Sequence, residues 1–121
     1  MKGATMKENA VVEKSFAFAV RIVKLYRHLS EQKKEYVLSK QLLRCGTSIG
    51  ANISEAQRAQ SMPDFHTKMA IALKEANETL YWLRLLHETD YISTKQYHSI
   101  YPNIDELLRI ITAICKSSKH N

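Results

Sequence analysis

Seven side chains in the middle of the chain recur in alternating steps of four and three residues without a slip. A repeat of this kind places all of its members on one face of an α-helix. When it is sustained over several turns, it is typical of helices that pack nearly parallel, at about 20°. The sequence therefore predicts a long core helix whose buried seam is Phe65, Met69, Ala72, Ala76, Thr79, Leu83 and Leu86.

Residues that form turns are scarce in the rest of the chain. The 121 residues include only 3 Gly and 2 Pro, which predicts a few long helices rather than many short strands. A hydrophobic fraction of 45% is enough for one core and too high for a disordered chain. We expect an all-α fold, an up-down-up-down antiparallel four-helix bundle, because short connections make successive helices antiparallel neighbours.

The predicted helix boundaries follow from caps and breaks. Ser30 is the predicted N-cap of the second helix, and capping boxes are expected at Ser61–Asp64 and Ser93–Gln96. Pro102 is expected to bend the last helix or to mark a false start. The prediction is a flexible N-terminal tail at 1–9, a bundle domain at 10–117 with helices at about 10–29, 31–60, 62–89 and 94–117, and a C-terminal tail at 118–121.

The other three helices carry apolar stripes of their own. Gly46 and Gly50 interrupt the second helix on one face, where each costs about 1 kcal/mol relative to Ala. Close approach of another backbone is the simplest compensation. The predicted stripes are Val12, Phe16, Ala19, Val20, Val23 and Tyr26; Leu38, Leu42, Cys45, Ile49, Ile53 and Ala56; and Ile100, Ile104, Leu107, Ile111 and Ile114.

The third and fourth helices each show a second apolar stripe. A small bundle needs one stripe per helix, so the surplus is either part of a wide core or the contact surface of another subunit. We expect self-association, with Tyr81 and Trp82 among the interface residues. The surplus stripes are Leu73, Leu80, Tyr81 and Trp82 on the third helix, and Tyr97, Tyr101, Leu108 and Cys115 on the fourth.

The formal net charge of +6 favours polyanionic partners. Rows of basic side chains at helical spacing suit phosphate contacts, which give affinity for RNA or DNA without sequence specificity. The alternatives are a merely solvated basic face, and a protein-interaction scaffold that docks through its aromatics. The nucleic-acid-binding candidates are Lys14, Arg21, Lys24, Arg44 and Arg58.

Ser48, Asn52 and Glu55 form an unusual polar set on one face of the second helix, which we expect to lie close to the notch at Gly46 and Gly50. One interpretation makes Glu55 a catalytic base. We favour a hydrogen-bonded contact between helices or subunits, because no nucleophile or His shares that face.

Two further pairs of side chains have spacings that occur in metal sites or in catalysis. Glu75 and Glu78 could contribute to a di-metal site, but the Glu-x-x-His partner motif is missing, and capping or ion pairs are the better interpretation. Arg21 and His28 have a spacing found in some helical ribonucleases, which is a weak signal. We therefore expect no catalytic residues, no metal and no cofactor.

The two cysteines, Cys45 and Cys115, lie in apolar helical patterns and are interpreted as reduced packing residues. No apolar run reaches the roughly 20 residues that span a bilayer, and the N-terminus has no signal-peptide pattern. We expect a cytoplasmic protein without a membrane partner.

The stretch from Gln41 to Ala56, with Ser-Ile-Gly-Ala-Asn-Ile-Ser-Glu at its centre, resembles the signature of the bacterial four helix bundle protein family. This family includes proteins encoded in intervening sequences of 23S ribosomal RNA genes. Ala76-Asn77-Glu78-Thr79 and Tyr81-Trp82-Leu83 resemble its third helix. Many members have Pro where Gly50 stands and Gly where Ala56 stands, which should affect the bend and the end of the second helix.

The resemblance implies an up-down bundle. It also extends to the accessory variability proteins of diversity-generating retroelements, which form barrel-shaped homopentamers and bind nucleic acid and a reverse transcriptase through a basic surface. By this resemblance we expect a homopentamer, with RNA or DNA and a protein as further possible partners.

Overall fold

Four α-helices account for nearly all of the chain in the computed structural model, which describes residues 6–119. They are α1 (Met6–Arg27), α2 (Leu38–Ala56), α3 (Met62–Glu88) and α4 (Thr94–Lys119), and a short π-helix, His28–Gln32, extends α1. Each α-helix packs against its two neighbours in the order α1, α2, α3, α4 and back to α1. No strand occurs within the described range. The predicted all-α four-helix bundle is thereby confirmed.

The seams predicted for α3 and α4 are buried along their whole length. Phe65, Met69 and Leu83 on α3, and Ile104 and Ile111 on α4, are at most 2% exposed. The stripe of α2 is buried from Leu42 to Ala56. The buried faces of these helices are predicted correctly because each seam keeps the spacing of one helical face over its whole length.

The stripe predicted for α1 is wrong. Phe16 is 71% exposed and Val20 is 40% exposed, although both were assigned to the core. The buried side of α1 follows a different series with the same spacing, in which the small polar Ser15 takes the place of an apolar residue. That series is Val11, Ser15, Phe18, Ile22 and Leu29.

The glycines of α2 explain why α1 turns this face inward. A Cβ on Gly50 would lie 3.2 Å from the backbone oxygen of Ser15, and a Cβ on Gly46 would lie 2.8 Å from Cγ1 of Ile22. The backbone of α1 therefore approaches α2 closely at Gly50, and the side chain of Ile22 fills the space at Gly46. Packing against this notch offsets the cost of two glycines inside a helix, as expected from the sequence.

The connection between α1 and α2 differs most from the prediction. Ser30 does not cap α2: it lies in the π-helix and donates its hydroxyl to the Tyr26 carbonyl (2.9 Å). The chain leaves the helix at Lys34, whose φ is +57°. α2 then begins at Leu38 rather than near residue 31.

A buried carboxylate caps α2 in place of the predicted serine. Glu35 is 8% exposed and accepts the backbone N–H groups of Val37 (3.1 Å), Leu38 (3.0 Å) and Ser39 (2.6 Å). The Ser39 hydroxyl donates back to the Glu35 carbonyl (2.7 Å). One side chain thus satisfies three of the amide donors that a helix N-terminus leaves without partners.

Burial raises the pKa of the Glu35 carboxyl, but the N–H groups of Leu38, Ser39 and Val37, with the Ser39 side chain, outweigh it. The net result is a pKa below the ordinary value. The folded state therefore favours the ionised form of Glu35.

The other two connections follow the predicted capping chemistry. Ser61 Oγ accepts the N–H of Asp64 (3.2 Å), although Asp64 reaches back to Gln60 N (3.3 Å) rather than to Ser61. At α4 the box is reciprocal: Ser93 N donates to Gln96 Oε1 (2.7 Å) and Gln96 N to Ser93 Oγ (3.0 Å).

The ends of several elements also shift. α1 already begins at Met6, inside the predicted tail 1–9, and α4 continues to Lys119, inside the predicted tail 118–121. Residues 1–5, 120 and 121 lie outside the described residues. α2 stops at Ala56, four residues before the predicted end, and α4 passes through Pro102 as one helix with no second start. Within residues 6–119 no helix combines the length and apolar character needed to cross a bilayer.

Candidate nucleic-acid interface

The five predicted nucleic-acid-binding residues do not form one surface. Lys14, Arg21 and Lys24 lie on α1, whereas Arg44 lies on α2 and Arg58 in the turn that follows α2. Lys14 and Arg21 contact α4, and Arg44 contacts α3. The basic residues are therefore divided between two different seams of the bundle.

Arg44 is fully engaged in an ion-pair cluster. Its guanidinium binds Glu75 Oε2 (3.2 Å) and Glu78 Oε2 on α3, and Trp82 Nε1 donates to the same Glu78 oxygen (3.0 Å). The Glu75 and Glu78 pair, weighed above as metal ligands, is therefore the partner of an arginine. The positive charge of Arg44 is compensated, which makes it a poor phosphate contact.

Lys14 is compensated in the same way, because its Nζ lies 2.7 Å from Glu106 Oε2 on α4. The ion pair is exposed on both sides, so it contributes at most about 1 kcal/mol to stability. It nevertheless places a negative charge beside the lysine, and this weakens the local attraction for a polyanion.

Arg21 has no carboxylate partner, although hydrogen bonds to α4 hold its side chain in position. Its Nη1 donates to the Ser99 carbonyl (3.0 Å) and to Asn103 Oδ1 (2.5 Å), and its Nη2 donates to Ser99 Oγ (3.0 Å). All of these acceptors are neutral. The side chain is thus oriented by α4 while its full positive charge remains available to an anion.

The side chains of Lys24 and Arg58 are exposed and make no hydrogen bond or ion pair with another described residue. Further exposed cations among the described residues also have side chains without such a partner. Most of them are not among the residues predicted from the sequence to bind nucleic acid. They are Arg27, Lys33, Lys34, Lys40, Lys74, Arg84, Lys95 and Lys116.

A groove of about 520 Å³ opens where the C-terminal half of α1 meets the start of α4. Three cations line it: Arg21 and Lys24 from α1, and Lys95 from the first turn of α4. No carboxylate is among its lining residues. The remaining residues of the lining are Leu25, His28, Ile92, Gln96, Ser99 and Ile100.

Sequence reasoning missed the contribution of α4 to this groove. Lys95, Ser99 and Asn103 are absent from the predicted site, because the spacing of residues within one helix does not show which residues of α4 lie beside α1. The antiparallel arrangement of two neighbouring helices was the available signal, since it brings the end of α1 to the start of α4. Arg21 and His28, paired on their spacing, do line this same groove.

The polar set on α2 does not lie near the glycine notch. Gly46 and Gly50 face α1, whereas Glu55 binds Lys68 Nζ of α3 (3.0 Å), on the other side of α2. Asn52 Nδ2 donates to the Ser48 carbonyl (2.9 Å), and Ser48 Oγ donates to the Arg44 carbonyl (2.7 Å). Within the subunit, the serine and the asparagine therefore bond to their own helix.

Several apolar side chains remain on the surface. Tyr81 is 59% exposed and lies edge-on to the half-buried Trp82, with ring centroids 5.2 Å apart. Phe16 and Val20 form a second exposed patch on α1. Leu73, Leu80 and Leu108, expected in a surplus stripe, are half-buried against the core instead.

The titratable side chains do not assemble a metal centre in the described part of the chain, where no three or more His, Cys, Asp or Glu residues could share an ion. Cys45 is buried, Cys115 is half-buried, and both are free thiols. Burial raises the pKa of both thiols, which favours the neutral, unreactive form.

Comparison with known proteins identifies the family. The family model described as 23S rRNA-intervening sequence protein matches residues 7–113. A crystal structure from Bacteroides thetaiotaomicron, described as a protein with unknown function from the S23 ribosomal protein family, is 57% identical in sequence. It superposes with a TM-score of 0.90, over 92% of this chain and 99% of that chain.

A comparison with curated proteins found no significant match. The family match spans all four helices and includes the Ser48–Glu55 signature on α2. The chain therefore belongs to the 23S rRNA-intervening sequence protein family.

Proposed function

We propose that this protein is a cytoplasmic, non-enzymatic bundle that assembles as a homo-oligomer and binds RNA or DNA through phosphate contacts. The observation that carries the proposal is the uncompensated charge on α1 and α4. Arg21, Lys24 and Lys95 line one groove without a carboxylate among them. Such an arrangement attracts a polyanion, whereas cations in ion pairs do so much less.

The net charge of +6 supports the same function at the scale of the whole chain. The ion pairs of the described residues use Lys14, Arg44, Lys68 and Arg109, which leaves most surface cations without a carboxylate partner. Contacts of this type are insensitive to base sequence. We therefore expect affinity for many nucleic acids and little preference among them.

The test is fluorescence anisotropy with a short structured RNA and a duplex DNA at about 50 and 200 mM salt. Three phosphate contacts on duplex DNA predict a loss of about 40-fold in affinity over this range. Absence of binding at the lower salt concentration would contradict the function.

Self-association is supported by apolar side chains that the subunit itself does not bury. Phe16, Tyr81 and Tyr101 are all exposed by more than a third of their surface. Light scattering on the sample used for anisotropy measures the particle mass, and we propose a mass of five subunits. A monomer at micromolar concentration would contradict this part of the proposal.

The same exposed aromatics favour a second candidate function, a scaffold that docks a protein without nucleic acid. Apolar docking changes little with ionic strength, whereas phosphate binding falls steeply. A well-formed oligomer that binds neither RNA nor DNA at low salt would make the scaffold the better explanation.

A further inference from the structure

The groove between α1 and α4 is an open concavity rather than a flat basic face. Its volume of about 520 Å³ falls within the range of small-molecule sites. A charged surface that only guides a polyanion needs no such concavity. The groove therefore calls for an explanation beyond general charge attraction.

One side of the groove carries three cationic side chains. Arg21 is fixed by Ser99 and Asn103 through three hydrogen bonds to neutral groups, so its orientation is set before any ligand arrives. Lys24 and Lys95 face the same space from two different helices. A pre-oriented guanidinium with two exposed ammonium groups matches the several oxygens of a phosphate.

The groove also has an apolar part. Ile92 and Ile100 are buried beneath it, and the half-buried Leu25 completes this floor. Inorganic anions gain nothing from an apolar floor, whereas a sugar and a base can lie against it. The combination is typical of ligand sites, which are mainly apolar with a few placed polar groups.

His28 supplies an unpartnered polar atom at this site. Its Nε2 is buried and has no hydrogen-bond partner among the described residues, although His28 lines the groove. Buried polar atoms are nearly always hydrogen-bonded, so this nitrogen needs a partner that the described residues do not supply. A hydroxyl or a ring nitrogen of a nucleoside is a suitable partner, but it reaches Nε2 only when the imidazole ring turns toward the groove.

We propose that this groove binds one nucleotide unit, with its phosphate at Arg21, Lys24 and Lys95 and its nucleoside over Leu25, Ile92 and Ile100. The inference rests on the proposed nucleic-acid function and locates it: one nucleotide of a bound strand enters the groove. Adenosine 5′-monophosphate should bind there by itself, more tightly than inorganic phosphate or adenosine.

The molecule contains a matched control. A second groove of about 480 Å³ lies between α3 and α4, and it is lined by Lys116 and Arg109. Lys116 is as free of partners as Lys24, but Arg109 is paired with Asp105 (2.9 Å). This groove therefore has similar size and one free lysine without the three-cation arrangement.

The experiment is calorimetric titration of the full chain with adenosine 5′-monophosphate, inorganic phosphate and adenosine at about 50 mM salt. Lys24→Gln and Lys95→Gln should each weaken binding of the monophosphate about five- to tenfold, as expected for one charge-assisted contact. Lys116→Gln should leave it within about twofold. Circular dichroism checks that the exposed-lysine variants remain folded.

The possible outcomes distinguish failure of the nucleotide site from failure of the proposed nucleic-acid function. Nucleic-acid binding without any binding of the monophosphate, or equal weakening by Lys116→Gln, would overturn the nucleotide site and leave the proposed function standing. Monophosphate binding that depends on Lys24 and Lys95, in a protein that binds no RNA or DNA, would support the site and overturn the function.

Discussion

Glu35 shows how much one side chain decides in this fold. It is an acidic residue in a lysine-rich connection, yet it is buried and accepts three backbone N–H groups at the start of α2. A charged acceptor serves here because its hydrogen bonds are stronger than those of a neutral oxygen. The cap thereby holds the end of the α1–α2 connection in place.

Replacing Glu35 by Gln should lower the free energy of unfolding at pH 7 by about 1–2 kcal/mol, because the amide is a weaker acceptor and its NH₂ group cannot cap. Urea unfolding at pH 7 measures the change. Glu31→Gln is the control, since Glu31 is exposed and makes no ion pair with a described residue. Equal stability of the two variants would contradict the capping role.

The lowered pKa of Glu35 also predicts a pH dependence. Because the folded pKa lies below the unfolded value, the ionised group stabilises the fold at pH values above the unfolded pKa of about 4.3. This contribution is lost as the pH falls through the folded pKa. Wild-type protein should therefore lose more stability than Glu35→Gln on acidification from pH 5 to pH 3.

The two thiols should differ in reactivity. Cys45 is fully buried and Cys115 is only half-buried, and burial raises the pKa of both. In the folded protein at pH 8, Ellman's reagent should modify Cys115 slowly and Cys45 much more slowly still. Cys115→Ala should remove the faster phase, and urea should expose both thiols. Fast modification of Cys45 in folded Cys115→Ala would contradict its burial.

At the scale of elements, the α1–α2 pair is defined by small residues. Ser15 and Gly50 meet across it, and Ile22 occupies the space where Gly46 lacks a side chain. This contact determines which of two similar stripes on α1 turns inward. Phe16 would bring a phenyl ring to the position that Ser15 occupies beside Gly50, where the close approach of the two helices leaves no room for it.

Gly46→Ala should destabilise the protein by about 1–2 kcal/mol. The new methyl group would meet Ile22 Cγ1 at 2.8 Å, and overpacking outweighs the gain of about 1 kcal/mol in helix propensity. In an Ile22→Ala background the clash is gone, so Gly46→Ala should become neutral or stabilising. Thermal unfolding of the four proteins of this double-mutant cycle measures the coupling. Additive effects would show that the two residues do not compete for space.

At the scale of the whole molecule, ion pairing decides which basic residues are available to bind a polyanion. Lys14 and Arg44 belong to ion pairs with α4 and α3, whereas Arg21 is held by neutral groups and Lys24 has no partner. The carboxylates that compensate some of these cations lie on neighbouring helices. The cations of one helical row therefore differ in charge compensation only in the folded bundle.

This division predicts unequal effects on nucleic-acid binding. Lys24→Gln should weaken RNA affinity several-fold at low salt, whereas Lys14→Gln should change it by less than about twofold. Glu106→Gln should strengthen binding, because it leaves Lys14 without its carboxylate partner. Fluorescence anisotropy on the three variants measures this, and an equal loss in the two lysine variants would contradict the argument.

The sequence by itself determined the fold class, the seams of α3 and α4, and the capping box at Ser93. These follow from local rules: spacing on one helix, and hydrogen bonds between residues three apart. The family could also be recognised from the sequence, because its signature is a continuous stretch on α2. Each of these features depends on residues that are close in the chain.

Tertiary structure alone decided the inward face of α1, the start of α2 and the composition of the groove. α1 has two stripes of similar spacing, and the stripe that fits the glycine notch of α2 faces inward. Glu35 caps α2 from a buried position, and Lys95 joins Arg21 across an antiparallel pair. Close contact between distant segments sets all three, because steric fit and charge compensation depend on which atoms meet in space.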